Sequence, residues 1–335
     1  MRLHGRLDTR AFDSKLLAGN PLGDPTDRDV YVYTPPGYDE GSARLPMVMV
    51  LAGYGATNHT IVGRDVFKPN LIERFDAMVH DGDCPPALLV LPDASNRWGG
   101  SQFVDSGATG PYQRYLVDEV VPFVDAAYRT IPEREGRAVV GKSSGGFGAL
   151  RIGIDRPEAF GVIGSHAGDS AFDISIRPEL TSVAIALDRA GGIASFVEAF
   201  RREPGRHSFG AMMTIAYGAA YAPDMQAPPA FTSMPFDAAT GVLDDAQWSR
   251  WLDHDPLVRL RRDEDALSQA QLIFIDAGNR DEHGLHFGSR MIAKILRERG
   301  RPVEYEEFDG GHRGTAYRYE TSLPRLIAAC GAATG

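Results

Sequence analysis

The chain has 335 residues, 43% hydrophobic and 24% charged, which excludes a disordered or fibrous protein and accommodates one large α/β domain or two medium ones. Its formal net charge of -10, with no basic stripe, excludes DNA or RNA as a main partner. Two cysteines, Cys84 and Cys330, are too few and too far apart for a disulfide framework or a zinc knuckle, and no run of about 18 apolar residues offers a membrane span. The opening residues have no apolar core of a leader, so the cytoplasm is the expected location, with no membrane partner.

In chain order, VYVYT (residues 30–34) reads as a strand stopped by the breaker PPGYDEGS. Pro46 introduces MVMVLAG, a continuous apolar run that suits a strand covered on both faces. Leu71, Ile72, Phe75 and Met78 share one helical face, and ALLVLPDA (87–94) returns as a strand. After a Gly/Ser-rich loop, Tyr112, Leu116, Val120, Phe123 and Ala127 recur at helical spacing, with a kink expected at Pro122. RAVVGKS, GGFGALRIGIDRPEAF and GVIGSHAG then give strand, helix and strand.

From about Asp169 to Asp255 the alternation breaks into helices and loops rich in Met, Pro and aromatic residues, and it resumes with QLIFIDAG, FGSRMIAKILRERG, VEYEEF and SLPRLIAACG. This order predicts one α/β domain over residues 1–335, built on a mostly parallel sheet with helices on both faces, and a lid-like helical insertion over 169–255.

The segment GRAVVGKSSGGFGAL (136–150) fits two motifs that exclude each other. From Gly136 it matches the phosphate-binding pattern G-x-x-x-x-G-K-[ST]; from Gly141 it matches the nucleophile elbow G-x-S-x-G. A phosphate loop needs its strand before the first glycine, yet here the residues between the glycines look like the strand itself. The elbow places strand, Ser143 and helix in the required order.

A serine hydroxyl needs a base within hydrogen-bond reach and an acid to orient that base. His312, in EFDGGH after the last strand, is the expected base; Asp276, Asp281 and Glu282 compete as the acid, with Asp281 in GNRDEH expected and Asp276 the next candidate. Backbone N–H groups of Tyr54, in LAGYG, and Ser144 are the expected oxyanion donors.

These residues make the sequence similar to the Putative esterase family of α/β-hydrolases, which includes esterase D type S-formylglutathione hydrolases, enterochelin esterases, feruloyl esterases and mycolyltransferases. The resemblance runs from about Asn20 to the C terminus and rests on DRDVYVYTPPGYD, VLAGYG, SQFVDSGATGPYQRYLVDEVVPFVDAAYRT, VVGKSSGGFGALRIG, GNRDEH and EFDGGH. It implies an α/β-hydrolase fold, a triad of Ser143, Asp281 and His312, and ester hydrolysis through an acyl-enzyme without metal or other cofactor.

Lys142, before the nucleophile, departs from the neutral, aromatic or His residue of many relatives, and the 169–255 segment is longer than in compact members. Trp98, Phe103 and Asp105 are candidate substrate contacts on a loop at a strand's carboxyl end. The methionines and aromatics of 209–236 divide between acyl pocket and plain core, and His283 with His286 between a surface pair and a metal site. The expected partner is a small-molecule ester. Acyl transfer or thioester cleavage by the same triad, a catalytically silent binding module, and association into a homodimer all stay open.

Overall fold

The computed structural model describes residues 2–331. Its centre is an eight-stranded sheet of β1 (Arg6–Asp13), β2 (Asp27–Thr34), β3 (Met47–Leu51), β4 (Leu88–Pro92), β5 (Arg137–Lys142), β6 (Val162–His166), β7 (Leu272–Gly278) and β8 (Val303–Phe308), in the order β1-β2-β4-β3-β5-β6-β7-β8. β1 and β2 pair antiparallel, as do β2 and β4, and every pairing from β4 to β8 is parallel. This is the α/β-hydrolase arrangement that the alternation of strands and helices predicts.

The apolar run of β3 is explained by its two covered faces. Val48 and Val50 pack with Leu71, Ile72 and Phe75 of α1 (Leu71–Asp81) and with Leu323 and Leu326 of the C-terminal helix Tyr319–Gly331. Met47, Met49 and Leu51 face the opposite layer, where Leu116 and Val120 lie with Leu150 and Ile152 of α2 (Ser144–Asp155). Side chains alternate sides at period two, so burial on both sides demands an unbroken hydrophobic strand.

Two elements differ from the sequence reading. β1 is not legible as a strand: it is an edge strand with mostly exposed or half-exposed residues, so it carries no apolar alternation. The irregularity expected at Pro122 takes the form of a π-turn over Tyr115–Val120, in which the Val121 N–H donates to the Leu116 carbonyl five residues back.

Between β6 and β7 lie five principal helices, α3 (Leu180–Ala190), α4 (Ile193–Arg202), α5 (Phe209–Tyr221), α6 (Asp245–Leu252) and α7 (Pro256–Arg262). α3 to α6 share a second hydrophobic core that includes Leu187, Phe196, Ile215, Tyr221 and Trp251. The carboxylate of buried Asp255 closes the base of this segment: it accepts N–H groups from Ala171 (3.0 Å) and Phe172 (2.8 Å) and caps α7 at the Leu257 N–H (2.9 Å). Among the described residues no single helix is long and apolar enough to cross a membrane. Cys84 and Cys330 are free and buried, and burial pushes both thiols up to about 12.

Candidate active site

Ser143 joins β5 to α2 with φ 57° and ψ −125°, a left-handed backbone that a non-glycine residue adopts only under constraint from its surroundings. Its N–H donates to the His166 carbonyl at 2.9 Å. The glycines of the elbow make the turn sterically feasible. A Cβ on Gly141 would stand 2.4 Å from the Gly145 carbonyl carbon, and one on Gly145 would stand 2.2 Å from the Leu51 carbonyl oxygen. The phosphate-loop alternative fails for the reason the sequence indicates: Arg137 to Val140 are sheet residues paired with β3, and their N–H groups are not arranged around an anion.

The structure brings Ser143, His312 and Asp281 together from three distant points in the chain. His312 Nε2 lies 3.1 Å from Ser143 Oγ, and His312 Nδ1 lies 2.8 Å from Asp281 Oδ2. Burial would raise the Asp281 carboxyl, but the hydrogen bond and charge of His312, with the backbone N–H of His283, hold it below the usual carboxylate range. An ionised carboxylate only accepts, so His312 Nδ1 donates to Asp281, and in the neutral ring Nε2 is the acceptor that faces the serine.

Asp276, the competing acid, serves a different histidine. Its Oδ1 lies 2.7 Å from His166 Nδ1 and its Oδ2 accepts Arg318 Nε–H at 2.8 Å, while His166 Nε2 meets Ser322 Oγ at 2.9 Å. The side chains of His166, Asp276 and Ser322 are buried.

A cavity of about 630 Å³ opens above Ser143 and His312. The strand end and adjoining loops contribute Gly53, Tyr54, Lys142, His283 and Arg313, and the helical segment contributes Ile176, Glu179, Val183, Phe209, Met213 and Tyr217. Gly53 packs against the elbow, since a Cβ there would lie 3.6 Å from Ser143 Cβ. Among the described residues neither the Tyr54 nor the Ser144 backbone N–H has a hydrogen-bond partner.

Asp169 escaped the sequence reading, and so did the polar contact that Tyr217 makes with it. Asp169 Oδ2 accepts the Ser144 hydroxyl at 3.1 Å and the Tyr217 hydroxyl at 3.2 Å, which ties the first residue of α2 to α5. Burial raises the Asp169 carboxyl, against the opposing pull of His312 and the two hydroxyls. The available signal was position: Asp169 follows the carboxyl end of a buried strand, where ligand-facing loops of such sheets emerge.

Trp98, Phe103 and Asp105, expected as substrate contacts, do not line this cavity. Trp98 is buried and its carbonyl accepts the Tyr54 hydroxyl at 2.6 Å. Gln102 and Phe103 both take left-handed backbone, which turns the Phe103 ring onto α2, where a Cβ on Gly148 would be 2.5 Å away from it. Asp105 is paired with Arg114 at 2.9 Å. Trp98 and Phe103 fold back into the protein, while Asp105 stays at the surface. Of the acyl-pocket candidates, Phe209, Met213 and Tyr217 line the cavity, whereas Met212, Tyr221 and Phe236 belong to core.

His283 and His286 diverge. The His283 ring meets His312 edge-on with centroids 5.0 Å apart, while His286 is buried against Phe287. Among the described residues no group of three or more His, Cys, Asp or Glu is arranged to hold a metal ion.

With the fold and this geometry established, comparison with known proteins defines the class. The family model "Esterase: Putative esterase" matches residues 25–325. The chain therefore belongs to the Putative esterase family.

It is 33% identical over 113 residues to "Esterase Rv1288" of Mycobacterium tuberculosis, covering 32% of this chain and 24% of that protein. It is 28% identical over 157 residues to an "Endo-1,4-beta-xylanase/feruloyl esterase" of Xylanibacter ruminicola, covering 44% and 20%. The matched regions thus span about a quarter or less of these two relatives. Similar solved structures include a ferulic acid esterase (TM-score 0.63, 18% identity, 98% of this chain and 100% of that one). An S-formylglutathione hydrolase from Agrobacterium tumefaciens is also similar (TM-score 0.59, 16% identity, 99% and 96%). At such identities these likenesses establish the fold.

Proposed function

We propose that the protein is a serine hydrolase that cleaves small-molecule carboxylic esters through an acyl-enzyme, with Ser143 as nucleophile, His312 as base and Asp281 as the acid that orients it. The observation that carries this reading is the unbroken hydrogen-bonded chain from Ser143 Oγ through His312 to Asp281, at the floor of a cavity and on a strained elbow.

His312 Nε2 takes the Ser143 proton as Oγ bonds to the acyl carbon, and the carbonyl π electrons move to its oxygen. The unpartnered N–H groups of Tyr54 and Ser144 receive that oxyanion, each worth about 2.7–4 kcal/mol in sites of this type. Collapse expels the alcohol, which leaves with the proton from His312. Water then attacks the acyl-enzyme, giving its proton to His312, and Ser143 leaves with that proton as the acid is released. The helices over 169–255 act as a lid that supplies the acyl-side wall, and Asp169 and Tyr217 position Ser144.

Labelling with a fluorophosphonate probe tests the reading. The expected adduct is on the peptide bearing Ser143 and is absent in Ser143→Ala; no adduct, or one on another serine, would sink it.

A further inference from the structure

Two cations line the cavity beside the reacting residues. Lys142 ends β5 immediately before Ser143, and Arg313 immediately follows His312. Among the described residues neither side chain has an ion pair or a hydrogen bond. Lys142 is half-buried and Arg313 exposed, whereas half-buried Arg318 holds Asp276 and Glu306 and buried Arg151 holds Asp155.

The two carboxylates whose charges act on Lys142 are already engaged. Asp281 takes His312, and Glu282 Oε2 accepts the His312 backbone N–H at 2.7 Å. Burial holds the Lys142 ammonium below its ordinary lysine value despite the attraction of Asp281 and Glu282, so these acids do not compensate its desolvation. Glu179, on the helical side of the cavity, disfavours an anion there and leaves the Lys142 side as the place for one.

We propose that the enzyme selects esters that carry a second, anionic group a short aliphatic chain from the scissile bond, with Lys142 and Arg313 receiving that group. Half-esters of dicarboxylic acids have this chemistry. Their carboxylate meets the two cations, and their methylenes lie along Ile176, Val183, Met213 and Leu285. The inference rests on the serine-hydrolase reading above.

The test compares kcat/KM for mono-4-nitrophenyl glutarate, adipate and pimelate with that for 4-nitrophenyl esters of the monocarboxylic acids of equal length. The ratio is taken within each variant, so a general loss of activity cancels. For at least one length the wild type is expected to favour the dicarboxylate about tenfold, the scale of one charge-assisted hydrogen bond. The ratio is expected to fall to about one in K142M/R313Q, to persist in K142R, and to shrink as salt is raised. A wild-type ratio of one or less at every length, or an unchanged ratio in the double variant, would overturn the anion site while hydrolysis of the neutral esters leaves the hydrolase reading standing. If no ester is cleaved and Ser143 does not react with the fluorophosphonate, the hydrolase reading itself fails and this inference falls with it.

Discussion

The Ser143 N–H donates to the carbonyl of His166 at 2.9 Å, and the His166 side chain is clamped below by Asp276 at 2.7 Å and Ser322 at 2.9 Å. One residue thus ties the strained elbow to a buried polar chain that continues into the C-terminal helix and Arg318.

That chain separates the two aspartates by experiment. Asp276→Asn removes the buried negative charge and turns one of the two acceptor oxygens that serve His166 and Arg318 into a donor, and is expected to destabilise the fold by about 3–5 kcal/mol in denaturant unfolding. The fraction that remains folded is expected to keep reacting with fluorophosphonate. Asp281→Asn reverses the pattern, with a small change in stability and a fall in kcat of about 10⁴.

Ser143→Ala is expected to lower ester turnover by about 10⁶ while the circular dichroism spectrum stays that of the wild type. Steady-state hydrolysis of a 4-nitrophenyl ester checks it, and turnover within tenfold of wild type would refute the nucleophile.

Acid tests the Asp281 environment. The folded-state value of this carboxyl lies below its unfolded one, so its contribution to stability is fully present above the unfolded value, near 4, and is lost as pH falls through the lower folded value. Unfolding titrations below pH 4 are expected to show a shallower loss of stability in Asp281→Asn than in the wild type.

Gly145→Ala drives a methyl group against the Leu51 carbonyl oxygen and is expected to cost about 1–3 kcal/mol or more, seen as a lowered denaturation midpoint. Gly107→Ala, where nothing lies within 4 Å of the added carbon, is the matched control and is expected to change little.

What could be read from the sequence follows from how local its cause is. The elbow is visible because strand, serine and helix are contiguous and their glycines answer to backbone contact within a few residues. His312 and Asp281 are visible through chain order, each standing just past a recognisable strand. Lys142 stands out in sequence only as a departure from the family; its lack of a partner is a property of side chains brought in from β5, the His312 loop and the helical segment. Trp98 and Phe103 mislead because the carboxyl end of a strand marks where a loop begins, while the left-handed pair Gln102–Phe103 decides that it turns inward. β1 is silent because an edge strand is held by main-chain hydrogen bonds that any side chain permits.

Asp255 gives the helical segment a fixed doorway. Its one carboxylate takes main-chain N–H groups from both sides of the base, at residues 171–172 and 257, so the two crossing points are registered to each other whatever the chain does in between. A change inside the segment therefore enters and leaves at the same two points, and it reaches the elbow through the contacts that cross to it, those of Tyr217 with Asp169 and of the shared core with Phe147.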